Sequence, residues 1–316
     1  MSATPTISKI SPENFHKPFT VIGLGEILID QFPDFERIGG APANALYHLH
    51  NLGLRTELLS AIGDDDSGAK ILRWLEQQQL SREFISADPS HPTGTVTVTP
   101  TQTGSHRFVI TQEVAWDYIP FLSRAESIIT QADAVVYGTL AFRSPGSRKT
   151  LLQYIEKTAA GCLRVLDLNL RQSYYDRHTI ENLLHRSDVL KVNEEELTVL
   201  HDLFGYSDNS KQTIMQLYQR FRLRYLALTR GERGSLLFDG SQYSRRTAAA
   251  QDIVDTVGAG DAFTAGLTAG MLFNLPLDSI HMLATTLAEF VCRSSGATPP
   301  YPPDLLTSTL RILSGD

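Results

Sequence analysis

The sequence predicts an α/β fold: a three-layer sandwich with a mostly parallel central sheet and a small β insertion in its first half. Three observations predict it. Short apolar runs alternate with helix-spaced stretches, as in Asp133 to Gly138, then Gly146 to Ala159, then Leu163 to Leu168. Thr93 to Ile110 breaks that rhythm. Thr95-Val96-Thr97-Val98-Thr99 alternates, and His106 to Ile110 pairs with it across a Gln102-Thr103-Gly104-Ser105 turn. Finally, Gln251 to Phe273 passes from a loop of small residues directly into an apolar run with helical spacing.

The 316 residues suit one large domain with an elaboration, or two domains, and no linker cuts the chain. Hydrophobic residues make up 42%, ample for a core. A net charge of −7 with no Lys/Arg block argues against nucleic acid, while leaving room for a local site that takes an anionic nucleotide. Cys162 and Cys292 have no metal-type spacing and form no disulfide framework, so a reducing cytoplasm is expected. Met1 to Pro18 is polar and lacks the apolar region of a signal peptide. It reads as a loose tail before a domain over 19–316. No apolar run reaches the ~20 residues that span a bilayer, so no membrane is expected.

Phe19 to Asp30 reads as one buried strand ending in polar groups. Gly23 and Gly25 give G-x-G, but Leu28 stands where a dinucleotide fingerprint needs its third glycine, which excludes a nicotinamide loop. Asp30 falls at a strand end, where open parallel sheets bind ligands; the alternative is a turn residue before Pro33. Ile38 to Leu52 opens on Gly39-Gly40 and becomes helical, with Pro42 in the first turn. Thr56 to Gly63 is a strand and Ala69 to Gln79 a helix. The acids Asp64, Asp65 and Asp66 between them suit a helix start better than a metal. Leu80 to Ser86 returns as a short strand, and Ser127 to Gln131 is a helix end.

Asp188 to Val192 and Tyr225 to Thr229 are further strands. Asn193 is a good helix cap, and Glu194-Glu195-Glu196 suits a first turn, so a structural account of them is complete on its own. Arg230-Gly231-Glu232-Arg233-Gly234 is a tight turn, followed by a hairpin of Ser235 to Phe238 and Tyr243 to Arg246. No Gly-Lys-Ser/Thr occurs, which excludes a P-loop mechanism. Pro276 to Arg293 is a long amphipathic helix, with Gly296 a fair C′ residue.

The chemistry concentrates at Asp255-Thr256-Val257-Gly258-Ala259-Gly260-Asp261. The first amides of a helix have no internal partner, and the macrodipole adds to their charge. With Gly258, Ala259 and Gly260 at that point, an anion is expected there. A carboxylate at its rim, Asp261, is suited to taking a proton from a hydroxyl that attacks phosphorus.

That stretch resembles the D-T-x-G-A-G-D signature of the ribokinase-like (PfkB) carbohydrate kinases, and further motifs follow in family order along nearly the whole chain. The resemblance implies a ribokinase-like αβα sandwich whose lid, built from strands near 30–38 and 93–117, shields the sugar from water. It implies that Asp261 is the catalytic base and that Gly258, Ala259 and Gly260 form the anion hole. Gly39, Gly40 and Asn44 match the G-G-x-x-x-N element, which with Asp30 touches the sugar. Asp167, Asn169 and Arg171 match D-x-N-x-R; Arg171 is taken to bind a phosphate or sugar oxygen, or to pair with a structural acid. Asn193 and Glu196 match N-x-x-E, which helps place Mg²⁺ and the phosphates, Glu196 indirectly. Thr229, Gly231 and Gly234 match the T-x-G-x-x-G loop beneath the nucleotide. The resemblance also implies a monovalent cation, K⁺, held by Asp255 and by the carbonyls of Val257, Val291 and Gly296. Pro300 stands where ribokinase has a serine ligand. Trp116 either packs on a sugar face or anchors the lid.

The expected activity is therefore transfer of the ATP γ-phosphoryl group to a sugar hydroxyl. Gly-Glu-Ile-Leu-Ile-Asp (25–30) and Gly-Gly-Ala-Pro-Ala-Asn (39–44) resemble fructokinases most, and Asp30 favours a neutral sugar. Arg107, Arg143 and Arg171 keep 2-keto-3-deoxygluconate, ribose and fructose 6-phosphate as alternatives. A sugar-binding regulator without turnover is another. Relatives commonly dimerise through the lid, so a homodimer is expected.

Overall fold

A computed structural model of the chain describes residues 19–100, 106–206, 210–248 and 252–314. The expected N-terminal tail and the tip of the 93–110 hairpin lie outside these residues. Thirteen strands occur among them: β1 (Thr20–Leu24), β2 (Leu28–Gln31), β3 (Glu36–Gly39), β4 (Arg55–Gly63), β5 (Ile85–Asp88), β6 (Thr95–Pro100), β7 (His106–Ile110), β8 (Ala134–Tyr137), β9 (Leu163–Asp167), β10 (Val189–Asn193), β11 (Tyr225–Thr229), β12 (Ser235–Phe238) and β13 (Tyr243–Arg246). Nine form the main sheet in the order β13-β12-β11-β10-β9-β8-β1-β4-β5. It is parallel from β11 to β5, and β12 and β13 run antiparallel at one edge. The other four make a separate sheet, β3-β2-β6-β7.

The alternation of strand side chains sorts the core into two layers. Ile22, Leu24, Val135, Leu166 and Leu190 face one way, toward α3 (Glu126–Thr130), α4 (Pro145–Lys157), α5 (Arg177–Leu184), α6 (Glu194–Phe204) and α7 (Ser210–Phe221). Val21, Ala134, Val136, Val165 and Val189 face the other. There they meet α1 (Ala41–Asn51), α2 (Asp66–Gln77), α8 (Ala259–Leu272), α9 (Leu277–Cys292) and α10 (Pro303–Ser314). This is the expected three-layer sandwich.

Several boundaries depart from expectation. Phe19 to Asp30 is two strands in two different sheets. The chain turns at Gly25, whose φ is +145°, so the apolar run continues through a corner that both sheets bury. The strand expected over Leu80 to Ser86 begins only at Ile85. The helix expected from Ala69 starts at Asp66, because Asp65 caps it by accepting from the Gly68 amide at 2.7 Å. That is the structural role assigned to this acidic loop. The small sheet ends at Ile110, and Ala115–Tyr118 is a 3₁₀ turn rather than strand. Gly296 is not the C′ residue of α9, whose last turn closes at Arg293.

Helix α8 packs on α9 through its small face. A Cβ on Gly266 would stand 2.5 Å from the Ala284 Cα, a backbone atom that moves only with α9. Gly266→Val is expected to lower the free energy of unfolding by about 1–3 kcal/mol in urea denaturation. An unchanged midpoint would mean that this helix pair is not in close contact.

Candidate active site

The N-terminus of α8 lies at the carboxyl ends of the parallel strands. Gly258 caps it with φ +80°, and a Cβ there would meet the Ala297 Cβ at 2.3 Å, so only glycine fits. The first helical bond runs from the Ala262 amide to the Gly258 carbonyl. Among the described residues, the N–H groups of Gly258, Gly260 and Asp261 have no acceptor. The expected trio needs one correction. The Ala259 amide turns toward the Thr256 carbonyl at 3.3 Å, and the amide of Asp261 itself takes its place.

Asp261 is partly exposed, with the Asn44 Nδ2 donating to its Oδ2 at 2.8 Å. Burial pushes its carboxyl up to about 6, and the Asp167 charge adds to this; the Asn44 bond, Lys191 and Arg171 oppose it. Asn44, expected against the sugar, thus also orients the acid. Its Oδ1 is buried without a partner among the described residues.

Lys191 lies beneath the loop, where a Cβ on Gly260 would come within 2.9 Å of its Nζ. It donates to both Asp167 oxygens, at 2.9 and 3.1 Å, and the Thr264 hydroxyl donates to the same carboxylate at 2.8 Å. Burial works against its charge, but Asp167, Glu196 and Asp261 outweigh that and hold its pKa above the ordinary value. Sequence reasoning gave Lys191 no role. The available signal was a lysine inside the buried run Val189-Leu190-Lys191-Val192.

Asp30, Glu26 and Arg171 form a second charged group, coupled electrostatically through Arg171 to one another and to Asp261. Asp30 lies on β2, and a Cβ on Gly39 would stand 2.4 Å from its Oδ2, so Gly39 makes room for this acid. Burial raises Asp30 to about 6 against the pull of Arg171 and Arg37. Glu26, also without an assigned role, is buried and accepts from the Ala41 amide at the start of α1; its Oε2 has no partner among the described residues. Burial lifts it to about 7, and Asp261 adds to the rise. Gly40, with φ +113°, packs its backbone on that of Glu26, where a Cβ would lie 2.5 Å from a carbonyl oxygen. Arg171 is exposed, donates only to the Leu170 carbonyl at 3.1 Å, and has no carboxylate in ion-pair range among the described residues. Its charge still acts on Glu26, Asp30 and Asp261.

Beside the loop opens a cavity of about 440 Å³. Thr229, Gly231, Gly234, Ala259, Gly260 and Phe263 contribute to its lining. The expected nucleotide turn and the amide cluster therefore share one cleft. Gly234 has φ +80°, and a Cβ on it would overlap the Arg246 carbonyl oxygen at 1.9 Å. Asn193 does not line the cavity. It forms a capping box with Glu196: Oδ1 accepts from the Glu196 amide at 2.8 Å, and Glu196 Oε2 accepts from the Asn193 amide at 2.9 Å. Glu196 Oε1 accepts from the Leu170 amide at 2.9 Å, so both carboxylate oxygens already serve the backbone.

The signature of the pfkB family carbohydrate kinases matches residues 31–304. The chain belongs to this family. It is a carbohydrate kinase with ATP as phosphoryl donor. The fructokinase of Klebsiella pneumoniae is 30% identical over 278 residues, covering 84% of this chain and 88% of that protein. The fructokinase of Salmonella typhimurium is 29% identical over 304 residues, covering 89% and 96%. The crystal structure of an uncharacterized sugar kinase from Pyrococcus horikoshii superposes with a TM-score of 0.81 at 25% identity, covering 93% of this chain and 99% of that one.

Two residues of this kinase that were weighed from sequence have structural partners instead. Trp116 is fully buried, with the Arg143 guanidinium 4.0 Å above its ring. Arg143 forms a forked pair with Asp117 at 2.8 Å on both oxygens and donates to the Thr111 carbonyl at 2.6 Å. That engagement takes it away from substrate reading. The side chain of Arg107 lies outside the described residues. At the expected cation corner, Asp255 Oδ1 accepts from the Val257 amide at 3.0 Å. Its Oδ2 accepts from the Gly296 amide and from Arg37, both at 3.1 Å. The buried Val291 carbonyl accepts from the Ser294 amide at 2.9 Å.

Glu26 makes stability depend on pH. Its carboxyl ordinarily titrates near 4.5 but near 7 in the fold, so between these values the folded chain holds a proton that the unfolded chain has lost. Stability from this group is full below pH 4.5 and falls as pH rises to about 7. Glu26→Gln keeps an acceptor for the Ala41 amide and removes the titration. In urea denaturation across this range, the variant should gain on the native chain as pH rises. Parallel profiles would contradict this assignment.

Proposed function

We propose that this kinase phosphorylates a hydroxyl of a neutral sugar, fructose before others, with Asp261 as the general base. The reading rests above all on one arrangement: a partly exposed carboxylate oriented by Asn44 beside the unpaired amides that open α8. Asp261 takes the proton of the sugar hydroxyl as its oxygen forms a bond to the γ-phosphorus. The bond from that phosphorus to the β-γ bridging oxygen breaks, and ADP leaves. The amides of Gly258, Gly260 and Asp261 stabilise the negative charge of the transferring group. Lys191 sets the potential beneath them. The ATP phosphates enter over Gly231 and Gly234.

The sugar end carries Asp30, Glu26 and Asp261 against Arg171, with Arg37 also acting on Asp30, a balance that disfavours a phosphorylated acceptor. This and the fructokinase relatives support fructose. The unpaired Arg171 favours one alternative, a sugar acid such as 2-keto-3-deoxygluconate, whose carboxylate would take its fork. No group of three or more His, Cys, Asp or Glu side chains among the described residues is placed to hold a metal ion. That suits Mg²⁺, which is held mainly by nucleotide phosphates and water, with Glu196 acting only indirectly. Bound there, Mg²⁺ would neutralise phosphate charge. Asp30, Gly39 and Gly40 would hold the sugar, and the small sheet would close over it. Exposed Phe35, Phe108 and Val109 on that sheet and its turn favour a homodimer through the lid. No helix among the described residues is long and apolar enough to cross a membrane, and both cysteines are free, as a cytoplasmic location would require.

Asp261→Asn is expected to lower kcat by about 10²-fold or more while leaving sugar affinity nearly intact; unchanged turnover would remove Asp261 from the role. In the native enzyme kcat/KM should rise as pH increases through about 6 and level off above it, because only the ionised base accepts the proton. In a coupled ADP-release assay, fructose should give a higher kcat/KM than ribose, 2-keto-3-deoxygluconate or fructose 6-phosphate. A preference for the phosphorylated sugar would contradict the neutral-acceptor reading. Sugar binding without turnover would favour a regulator.

A further inference from the structure

The corner where family resemblance places a monovalent metal ion already contains a cation belonging to the chain. Arg37, on β3 of the small sheet, donates through Nη1 to Asp255 Oδ2 at 3.1 Å and through Nη2 to the Ser295 hydroxyl at 2.7 Å. Phe35 lies under its guanidinium at 4.8 Å, and Phe32 flanks it at 5.6 Å. A Cβ added to Gly296 would come within 3.3 Å of Nη1, so the glycine leaves the guanidinium its room. The side chains of Arg37 and Asp255 are only 31% and 22% exposed.

The donor set does not fit an added K⁺. Asp255 is the corner's expected charged ligand, and its two oxygens already accept from two amides and a guanidinium. Arg37 balances its single charge, so a metal ion would add an uncompensated positive charge against the guanidinium. Pro300, where ribokinase has a serine ligand, offers no hydroxyl.

We infer that Arg37 is a tethered substitute for the monovalent cation: it makes the enzyme independent of K⁺ and ties the small sheet to the loop that opens α8. Two residues separate Asp255 from Gly258, so charge balance at Asp255 bears directly on the unpaired amides. Arg37 is also the register partner of Asp30 across β2 and β3, which connects the same residue to the sugar end of the cleft. Arg37 is a positioning residue and takes no part in bond making.

The activity arm of the test rests on the kinase function; the thermal arm does not. Native enzyme and Arg37→Gln are compared in potassium, sodium and tetramethylammonium chlorides at equal ionic strength, by initial rate and by thermal unfolding. The native enzyme should show the same rate and Tm in all three salts. Arg37→Gln should lose about 10-fold in rate in tetramethylammonium, a loss of the size of ordinary intersite coupling. K⁺ should restore most of that rate and raise the variant's Tm by about 2 °C. Native enzyme that needs K⁺, or whose Tm rises specifically with K⁺, would overturn the inference. So would a variant whose rate and Tm match the native values in every salt. If Arg37→Gln does not fold, the native salt series decides alone. If no sugar is turned over in any salt, the acceptor assignment fails and the Tm comparison still decides the cation question.

Discussion

Everything in this site depends on a helix that begins with unsatisfied amides beside an acid that burial keeps close to neutrality. The two features constrain each other. Unpaired N–H groups attract negative charge, and the nearest available charge is the carboxylate of Asp261. If it folded back onto those amides, the chain would cap its own anion site. Asn44 prevents this by holding Oδ2 from α1. Raising the acid's pKa to about 6 leaves it basic enough to take a proton near neutral pH. The cost of crowding acids here is carried by Lys191, whose ammonium neutralises Asp167 directly beneath the loop.

Close packing leaves this loop little room for side chains. Gly258 has no space beside Ala297, and Gly260 none above Lys191. The same logic holds at the turn into α1, where Gly39 clears Asp30 and Gly40 lies on the backbone of Glu26. In each case a missing Cβ lets a charged group or a main-chain amide reach the cleft. Arg37 extends the network to the small sheet, adding polar contacts to the apolar cluster that already joins Ile29 and Ile38 of that sheet to α1 and α8.

Much of this was legible in the sequence because backbone demands leave a local trace. Asp255 to Asp261 needs small residues in consecutive positions, and a run of them is visible without a structure. The parallel strands were legible as short apolar runs for the same local reason. What was missed is long-range or ambiguous. Phe19 to Asp30 reads as one strand because burial on both sides of the Gly25 corner hides it. Helices α5 and α10 went without expectation although signals were present: Asp176 caps α5 by accepting from the Thr179 amide at 2.8 Å, and Pro303 begins α10. Lys191, Glu26 and Arg37 were passed over because their partners lie elsewhere along the chain; Lys191 alone left a trace, a lysine inside a buried run. Arg37 meets Asp255 across 218 positions. Glu196 shows the opposite case, where a motif suggested chemistry and two backbone amides, Asn193 in the capping box and Leu170 outside it, already engage both of its oxygens.

The most direct measurement is a crystal structure of the enzyme with fructose, ADP and aluminium fluoride, which mimics the PO₃ group in flight. The planar fluoride should rest on the amides of Gly258, Gly260 and Asp261, with one sugar hydroxyl in hydrogen-bond contact with the Asp261 carboxylate. A fluoride group bound elsewhere in the cleft, or a sugar with no hydroxyl near Asp261, would contradict the account.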